Sequence, residues 1–429
     1  MAISSLVLKQ LDWLDWIFLI IHGITFGLND FQYAYQAGHS TTMATWAVLE
    51  TVDYFLRNGS EVFTCAMDMT SAFDLTLHSL LFEKMIAAGF PAIFIRLFIF
   101  IYMKQVADVR WNGKKSKMFR MTNGCRQGVI LSAIAYCFYC EELFSLLRKR
   151  RAGCWVEGTY CGLFGYSDDN WALAPSLDSL QKILDTCQEY AASHNLKFST
   201  DPNPTKRKTK CMGFLKDSRP LPRLLLCGNS LPWVQKLRHL GNTIENRITG
   251  GQLDNKIKNA IYIQKNITLN QEFSFAHPKT KIKVNCIYNT HFTGCQLWNL
   301  FGHEAQKLES HYNRSVKIMC GLPYSTHRYF VEHITERPHV RKMLIKRYLK
   351  FIQSVEQSPK HSLTKLLKIA KGDVRSVTGS NMRYHTISES DKWRLNILDE
   401  LFELQHGDLV VPGMEAGEIS TILDYICTS

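Results

Sequence analysis

Val62–Met67 is a nearly unbroken apolar run containing a β-branched residue at each of positions 62 and 64, and it ends at Asp68. A short run of this kind is the pattern of a β-strand buried on both faces. A carboxylate at its end constrains the fold more than any other feature, because a charge is not left in an apolar interior without a partner. One hundred residues later, Tyr160–Tyr166 and Trp171–Ala174 are strand-like runs separated by Ser167, Asp168, Asp169 and Asn170, which reads as a hairpin with carboxylates at its tip. Carboxylates so placed can converge at one edge of a sheet, where their repulsion raises their pKa values unless a cation lies between them. Two magnesium ions about 3.5–4 Å apart, held by shared carboxylates, would stabilise the attacking and the leaving oxygen of an in-line phosphoryl displacement. Taken singly, each element also fits a solvated turn, in which Asp is common.

The rest of the first half predicts alternating helices and strands. Gln36–Leu56 reads as a helix with Trp46, Val48, Leu49 and Val52 on one face, Leu77–Ala88 as an amphipathic helix closed by Gly89 and Pro91, and a second, strongly apolar helix runs to about Met103. Asn112-Gly113 between Ala107–Trp111 and a segment through Arg120-Met121 predicts a hairpin, since Asn-Gly suits the turn whose twist matches the strands. Val129–Leu147 reads as one apolar-rich helix, Asp178–His194 as an amphipathic one, and Cys211–Leu215 as a strand after a polar loop. From about Gly251 helical patterns dominate, and Ser376–Ser388 reads as a mobile linker.

Charge separates the two halves. The chain of 429 residues carries +13, and residues 247–375 hold 22 Lys and Arg against 8 Asp and Glu, so the whole excess lies there. Clustered basic residues suggest a polyanionic partner, although a merely solvated basic surface fits the charge alone equally well. Hydrophobic content of 46% and charged content of 21% exclude a mostly disordered, collagen-like or long coiled-coil chain. The 13 cysteines are scattered without metal-ligand spacing, which points to a reducing, intracellular setting in nucleus or cytoplasm. Trp16–Leu28 and Ala92–Met103 are both short of the roughly 20 residues a spanning helix needs, and Asp12 and Asp15 make the first a poor signal peptide. No membrane partner is expected.

Asp68-Met-Thr-Ser-Ala-Phe-Asp74, Asn123-Gly-Cys-Arg-Gln-Gly-Val-Ile-Leu-Ser132 and Tyr166-Ser-Asp-Asp169 occur in this order on the elements a polymerase palm requires. Gln32-Tyr-Ala-Tyr-Gln-Ala-Gly-His-Ser-Thr41 precedes them, and Lys208-Thr-Lys-Cys-Met-Gly-Phe214 and His239-Leu-Gly241 follow. By these motifs, over roughly residues 28–245, the chain resembles the reverse transcriptases of non-long-terminal-repeat (LINE-type) retrotransposons. The resemblance implies an α+β fold: a right-hand polymerase palm, with an antiparallel sheet and helices on one face, followed by a mostly helical, basic thumb and C-terminal extension. It divides the chain into a fingers remnant and helical entry at 1–60, a palm at 61–245, a thumb and connection at 246–375, and a linker with a helical tail at 376–429.

The resemblance also implies roles. Asp68, Asp168 and Asp169 would bind two Mg2+ ions, with Mn2+ a possible substitute, and Asp168 would be the firmer ligand of the pair. Phe73 would exclude a nucleotide 2′-hydroxyl, though a core Phe at a helix start looks the same. Arg126, Gln127 and Gly128 would pack against incoming nucleotide and template, with glycine allowing the backbone to approach closely. Lys208 would protonate the leaving pyrophosphate, although Lys206 and Lys210 are close enough for the register to slip. Leu240 and Gly241 would form the primer-holding turn. The partners would be an RNA template, a DNA primer or target, and deoxynucleoside triphosphates. Ser167 and Ala133 depart from the family's usual Ala and Pro without removing chemistry. Residues 1–27 do not resemble the family's fingers, so the expectation is a copy truncated at its N-terminus. Three functions follow: an RNA-directed DNA polymerase, a catalytically inactive nucleic-acid-binding remnant, and an unrelated metal nuclease, against which Phe73 and Gln127-Gly128 argue.

Overall fold

The computed structural model of the chain describes residues 28–125, 130–201, 203, 207–246, 275–277, 280–281, 292, 294–326 and 340–382. The chain divides into two compact units, Met1–Gly241 with Ser358–Leu366, and Asn242–Gln357 with Leu367–Ser429.

In the first unit, helix α1 (Thr41–Arg57) starts five residues later than its apolar pattern suggests. Tyr35 and Gly38 adopt left-handed backbone, so a turn precedes the helix, and the extended Ser40 caps it by accepting the Met43 N–H on its hydroxyl. Strand β1 (Val62–Met67) follows, and its side chains are almost all buried, as a strand covered on both faces must be. Beyond it come a single helical turn α2 (Ala72–Leu75), α3 (His78–Ala87) and α4 (Ala92–Met103). Helix α4 buries Phe94, Ile95, Phe98 and Tyr102 and leaves Ile93, Phe100 and Met103 exposed. Among the described residues no helix is long and apolar enough to cross a membrane.

The Asn112-Gly113 hairpin forms as expected, with both turn residues at positive φ, +50° and +78°. It is built from two short antiparallel pairs, β2 (Val106–Ala107) with β5 (Phe119–Arg120) and β3 (Arg110–Trp111) with β4 (Lys114–Lys115). The single helix expected over Val129–Leu147 is two, α5 (Ile130–Tyr139) and α6 (Glu141–Lys149). The axis breaks at Cys140, where ψ is 0°; Glu141 and Glu142 then open a new helix at the end where acidic residues are favoured. The strand expected over Tyr160–Tyr166 is likewise split. Thr159–Tyr160 (β7) pairs with Trp155–Val156 (β6), whereas Leu163–Tyr166 (β8) pairs with Asp169–Ala174 (β9).

Helix α7 (Leu177–Ser193), capped by Ser176, leads to β10 (Lys210–Phe214) and a small hairpin of β11 (Leu225–Leu226) and β12 (Asn229–Ser230), and β13 (Lys236–His239) closes the run. The central sheet has the order β10-β1-β9-β8, with every neighbour antiparallel. Helices α1 and α7 both pack on it, and Trp46, Trp171, Phe214 and Met67 are among its fully buried side chains. Truncating one of these large side chains to Ala costs about 3–5 kcal/mol in a core of this kind. The fold is that of a right-hand polymerase, α+β with antiparallel sheets.

Ser358–Leu366 belongs to this unit although it lies more than a hundred residues beyond β13. Lys360 Nζ donates to the Asn29 carbonyl at 2.7 Å, and the Ser362 N–H donates to Asp30 Oδ2 at 2.7 Å.

The second unit begins with β14 (Asn242–Glu245). Its described helices are α8 (His303–Met319), α9 (Val340–Glu356) and the end of α10 (His361–Gly372). Arg341 on α9 pairs with Glu309 on α8 at 3.0 Å. Ser376–Met382, expected to open a linker, is packed instead. Ser376 is fully buried, and Asn381 accepts the Leu300 N–H and donates to the Trp298 carbonyl. Residues 383–429, and most of the helical patterns between 247 and 291, lie outside the described residues.

Candidate active site

Strand register brings the acidic residues together. Met67 on β1 pairs with Asn170 on β9, the last pair of that register, so Asp68, just past the end of β1, and Asp169, at the start of β9, lie at the same edge of the sheet. Asp169 in turn pairs with Tyr166 on β8, which leaves Ser167 and Asp168 as a two-residue turn. The Asp68 backbone is held at both ends: its N–H donates to Thr209 Oγ1 at 3.3 Å, and its carbonyl accepts the Ser199 N–H at 2.8 Å. Thr209 is itself fully buried.

Asp68 and Asp169 open on a cavity of about 280 Å3 whose other walls include Arg207, Lys208, Lys210, Arg238 and His239. Asp168 is not among its lining residues. Burial raises the Asp169 carboxyl to about 6, and the charges of Asp168 and Asp68 push the same way, with Lys208 opposing. Asp168 is also raised, again chiefly by burial and then by Asp68, against its own backbone hydrogen bond and Lys208. Lys208 Nζ stands 3.4 Å from Asp68 Oδ1 on a largely exposed side chain, so an ammonium meets part of the acidic charge. Among the described residues no group of three or more His, Cys, Asp or Glu side chains is arranged, as it stands, to hold a metal ion. The donor set nonetheless suits a hard divalent cation: it is all carboxylate oxygen, and two of its members are held against ionisation by burial and by neighbouring carboxylates.

Phe73 sits in α2, two residues after Ser71, whose φ is +49°. Its ring lies 4.8 Å from that of Tyr136 on α5, and the Tyr136 hydroxyl reaches Met69 Sδ at 2.9 Å. The Phe73 carbonyl accepts the Cys125 N–H at 2.6 Å, and the Gly124 N–H donates to the Thr76 carbonyl at 2.8 Å. Gly124 has φ +92°, and a Cβ there would come within 3.0 Å of the Asp74 carbonyl oxygen, so this close approach requires glycine. The loop expected to touch nucleotide is therefore tied at its start to the backbone around Phe73. Its own residues Arg126, Gln127 and Gly128 lie outside the described residues. Leu240 and Gly241 turn at φ +46° and +78° directly after β13. His239, 4.7 Å from the Trp171 ring, is pushed down to about 4 by burial and stays neutral at physiological pH.

Comparison with known protein families matches residues 14–244, more than half of the chain, to the family described as reverse transcriptase (RNA-dependent DNA polymerase). The chain belongs to the reverse transcriptase family. Among solved structures it is similar to telomerase from Candida tropicalis in complex with the TWJ fragment of telomeric RNA, at 12% identity and a TM-score of 0.39 over 83% of this chain and 56% of that one. The corresponding telomerase from Candida albicans matches at 15% identity and a TM-score of 0.36 over 82% and 52%, and apo telomerase from Candida tropicalis at 12% and 0.41 over 90% and 59%. The chain spans little more than half the length of these telomerases.

Within this reverse transcriptase domain, several site residues had no role in the sequence reading. Thr209, which holds the Asp68 N–H, lies inside a motif that singles out Lys208, and Arg207 and Arg238 are ordinary basic residues until the fold lines them along the cavity. Tyr136 has the helical spacing of any core aromatic. Gln32 belongs to a quoted motif, but its contact with Ser167, 135 residues away, has no sequence signal.

Proposed function

We propose that this chain is an RNA-directed DNA polymerase of LINE-type retrotransposon origin, acting inside the cell, which extends a DNA primer on an RNA template with deoxynucleoside triphosphates. The observation that carries the reading is the placement of Asp68 and Asp169 at one edge of the sheet, with Asp168 in the adjoining turn, beside a basic-walled cavity in a chain of this family. Asp68, Asp168 and Asp169 would hold the metal ions. When bound, two Mg2+ or Mn2+ ions would stabilise both the attacking primer 3′-oxygen and the oxygen leaving from the α-phosphate. The primer 3′-hydroxyl gives up its proton to solvent, its oxygen forms the new bond to the α-phosphorus as the bond to pyrophosphate breaks, and Lys208 Nζ donates its proton to that leaving oxygen. Lys208 is drawn into the site by Asp68 and exposed enough to reach a phosphate.

Phe73 lies under the incoming sugar and fills the volume a 2′-hydroxyl would need, with Tyr136 bracing the ring. Arg126, Gln127 and Gly128 would contact the incoming nucleotide and template, and Leu240-Gly241 would hold the primer end. The basic residues of 247–375, in the thumb and connection, grip the template–primer hybrid by its phosphates. A second reading, an inactive nucleic-acid-binding remnant, is favoured by the Lys208–Asp68 ion pair, which engages a carboxylate the metal ions would need. Primer extension on an RNA template with Mg2+ separates the two. Wild type extends the primer and Asp168→Asn does not; a wild-type chain that binds the hybrid without extending it establishes the remnant.

A further inference from the structure

Gln32 is completely buried, and nothing in the chemistry above uses it. Its segment runs parallel to β8, with the Tyr33 N–H donating to the Gly165 carbonyl at 3.0 Å and the Gly165 N–H donating to the Phe31 carbonyl at 2.9 Å. From this rail the Gln32 amide reaches the hairpin turn. Its Oε1 accepts the Ser167 N–H at 2.9 Å and the Ala34 N–H at 3.1 Å, and its Nε2 donates to the Ser167 carbonyl at 3.4 Å.

Ser167 is the turn residue between Tyr166 and Asp168, and its φ is +62°. Left-handed backbone at a residue other than glycine is strained and persists only where its surroundings over-determine it. The surroundings here are one side chain engaging both polar groups of the Ser167 peptide backbone. Glutamine suits the task because a single planar group offers an acceptor and a donor at the same reach.

We propose that Gln32 is the positioning residue of the acidic hairpin: its amide fixes the Ser167 backbone and so sets where the Asp168 and Asp169 carboxylates stand relative to Asp68. This rests on the polymerase reading for the use made of those carboxylates. Being fully buried, Gln32 touches no substrate and acts only through Ser167.

The test uses the whole chain as wild type, Gln32→Met and Gln32→Glu. Met keeps the length and loses both hydrogen-bonding atoms, whereas Glu keeps an oxygen acceptor. Three quantities are measured: hydrogen exchange at the Ser167 amide, Mn2+ binding followed by water-proton relaxation, and primer extension resolved into kcat and hybrid affinity. In wild type the Ser167 amide is protected. In Gln32→Met it exchanges freely, and Mn2+ affinity and kcat each fall about 10- to 100-fold, as for other groups that orient metal ligands. Hybrid affinity is unchanged, and Gln32→Glu recovers most of the loss. A Gln32→Met chain that melts lower yet keeps Mn2+ affinity and kcat per folded molecule reduces Gln32 to a structural residue and overturns the proposal. Should Gln32→Met fail to fold, free exchange of the Ser167 amide in the wild type overturns it as well. A wild type that neither binds Mn2+ nor extends a primer overturns the polymerase reading and takes this proposal with it, a result distinct from an active wild type matched by its variant.

Discussion

Folding lifts the Asp169 carboxyl to about 6, so between pH 4 and 6 the folded chain holds a proton that the unfolded chain has largely released. The associated stability is fully present below the ordinary Asp value of 3.8 and is lost as pH rises through about 6. Asp168 shifts in the same direction and adds to the loss. In metal-free buffer the melting temperature is therefore expected to fall across this range, and less so in Asp169→Asn, which has no proton to lose. Millimolar Mg2+ should restore stability above pH 6, because a cation between the carboxylates removes the reason for their protonation. Calorimetry at several pH values, with and without Mg2+, reads this directly. If Mg2+ gives the same increment to wild type and to Asp169→Asn at pH 7, the carboxylates do not meet around a cation.

Elements whose cause is local were legible in the sequence. The buried strand ending at Asp68, the Asn112-Gly113 turn and the amphipathic α7 all rest on residues within one element, and they formed close to where their patterns place them. What was not legible depends on distant partners. The fixing of Ser167 follows from a side chain 135 residues upstream. The return of Ser358–Leu366 to the first unit is the clearest case. Lys360 there is 4% exposed, lies 5.5 Å from the Tyr33 ring centroid, and is pushed down to about 8 by burial, with Asp30 and Glu141 opposing. The folded chain thus binds fewer protons than the unfolded chain between pH 8 and the ordinary 10.5, and stability from this group rises with pH across that window. Buried cysteines and tyrosines titrate upward and act oppositely, so the difference between wild type and Lys360→Met isolates the lysine. Relative to that variant, wild type should gain in melting temperature from pH 8 to 10.5. Parallel curves would mean that the segment does not bury its lysine in solution.

For the molecule as a whole, charge distribution is the property that the fold leaves unchanged and function would exploit. Residues 1–246, which carry the carboxylates, hold 26 Lys and Arg against 21 Asp and Glu, whereas residues 247–375 hold 22 against 8. A polymerase needs this separation, since acidic residues that collect metal repel the same nucleic acid that a basic region must attract. If the proposed function holds, the grip falls on phosphates and carries little base readout, so the chain should bind RNA–DNA hybrids of unrelated sequence with similar affinity. Each phosphate neutralised contributes about −0.9 to the slope of log affinity against log salt on duplex DNA, and a slope of the same order per contact is expected on the hybrid. Fluorescence anisotropy between about 50 and 200 mM salt should then show affinity falling by orders of magnitude. Charge reversal at Lys346, Arg347 and Lys350 should flatten the slope by about one per contact removed, while leaving the Mn2+ affinity of the first unit unchanged. A nearly flat salt dependence in wild type would mean that the basic residues are a solvated surface, and the chain would have to hold its template by some means other than its charge.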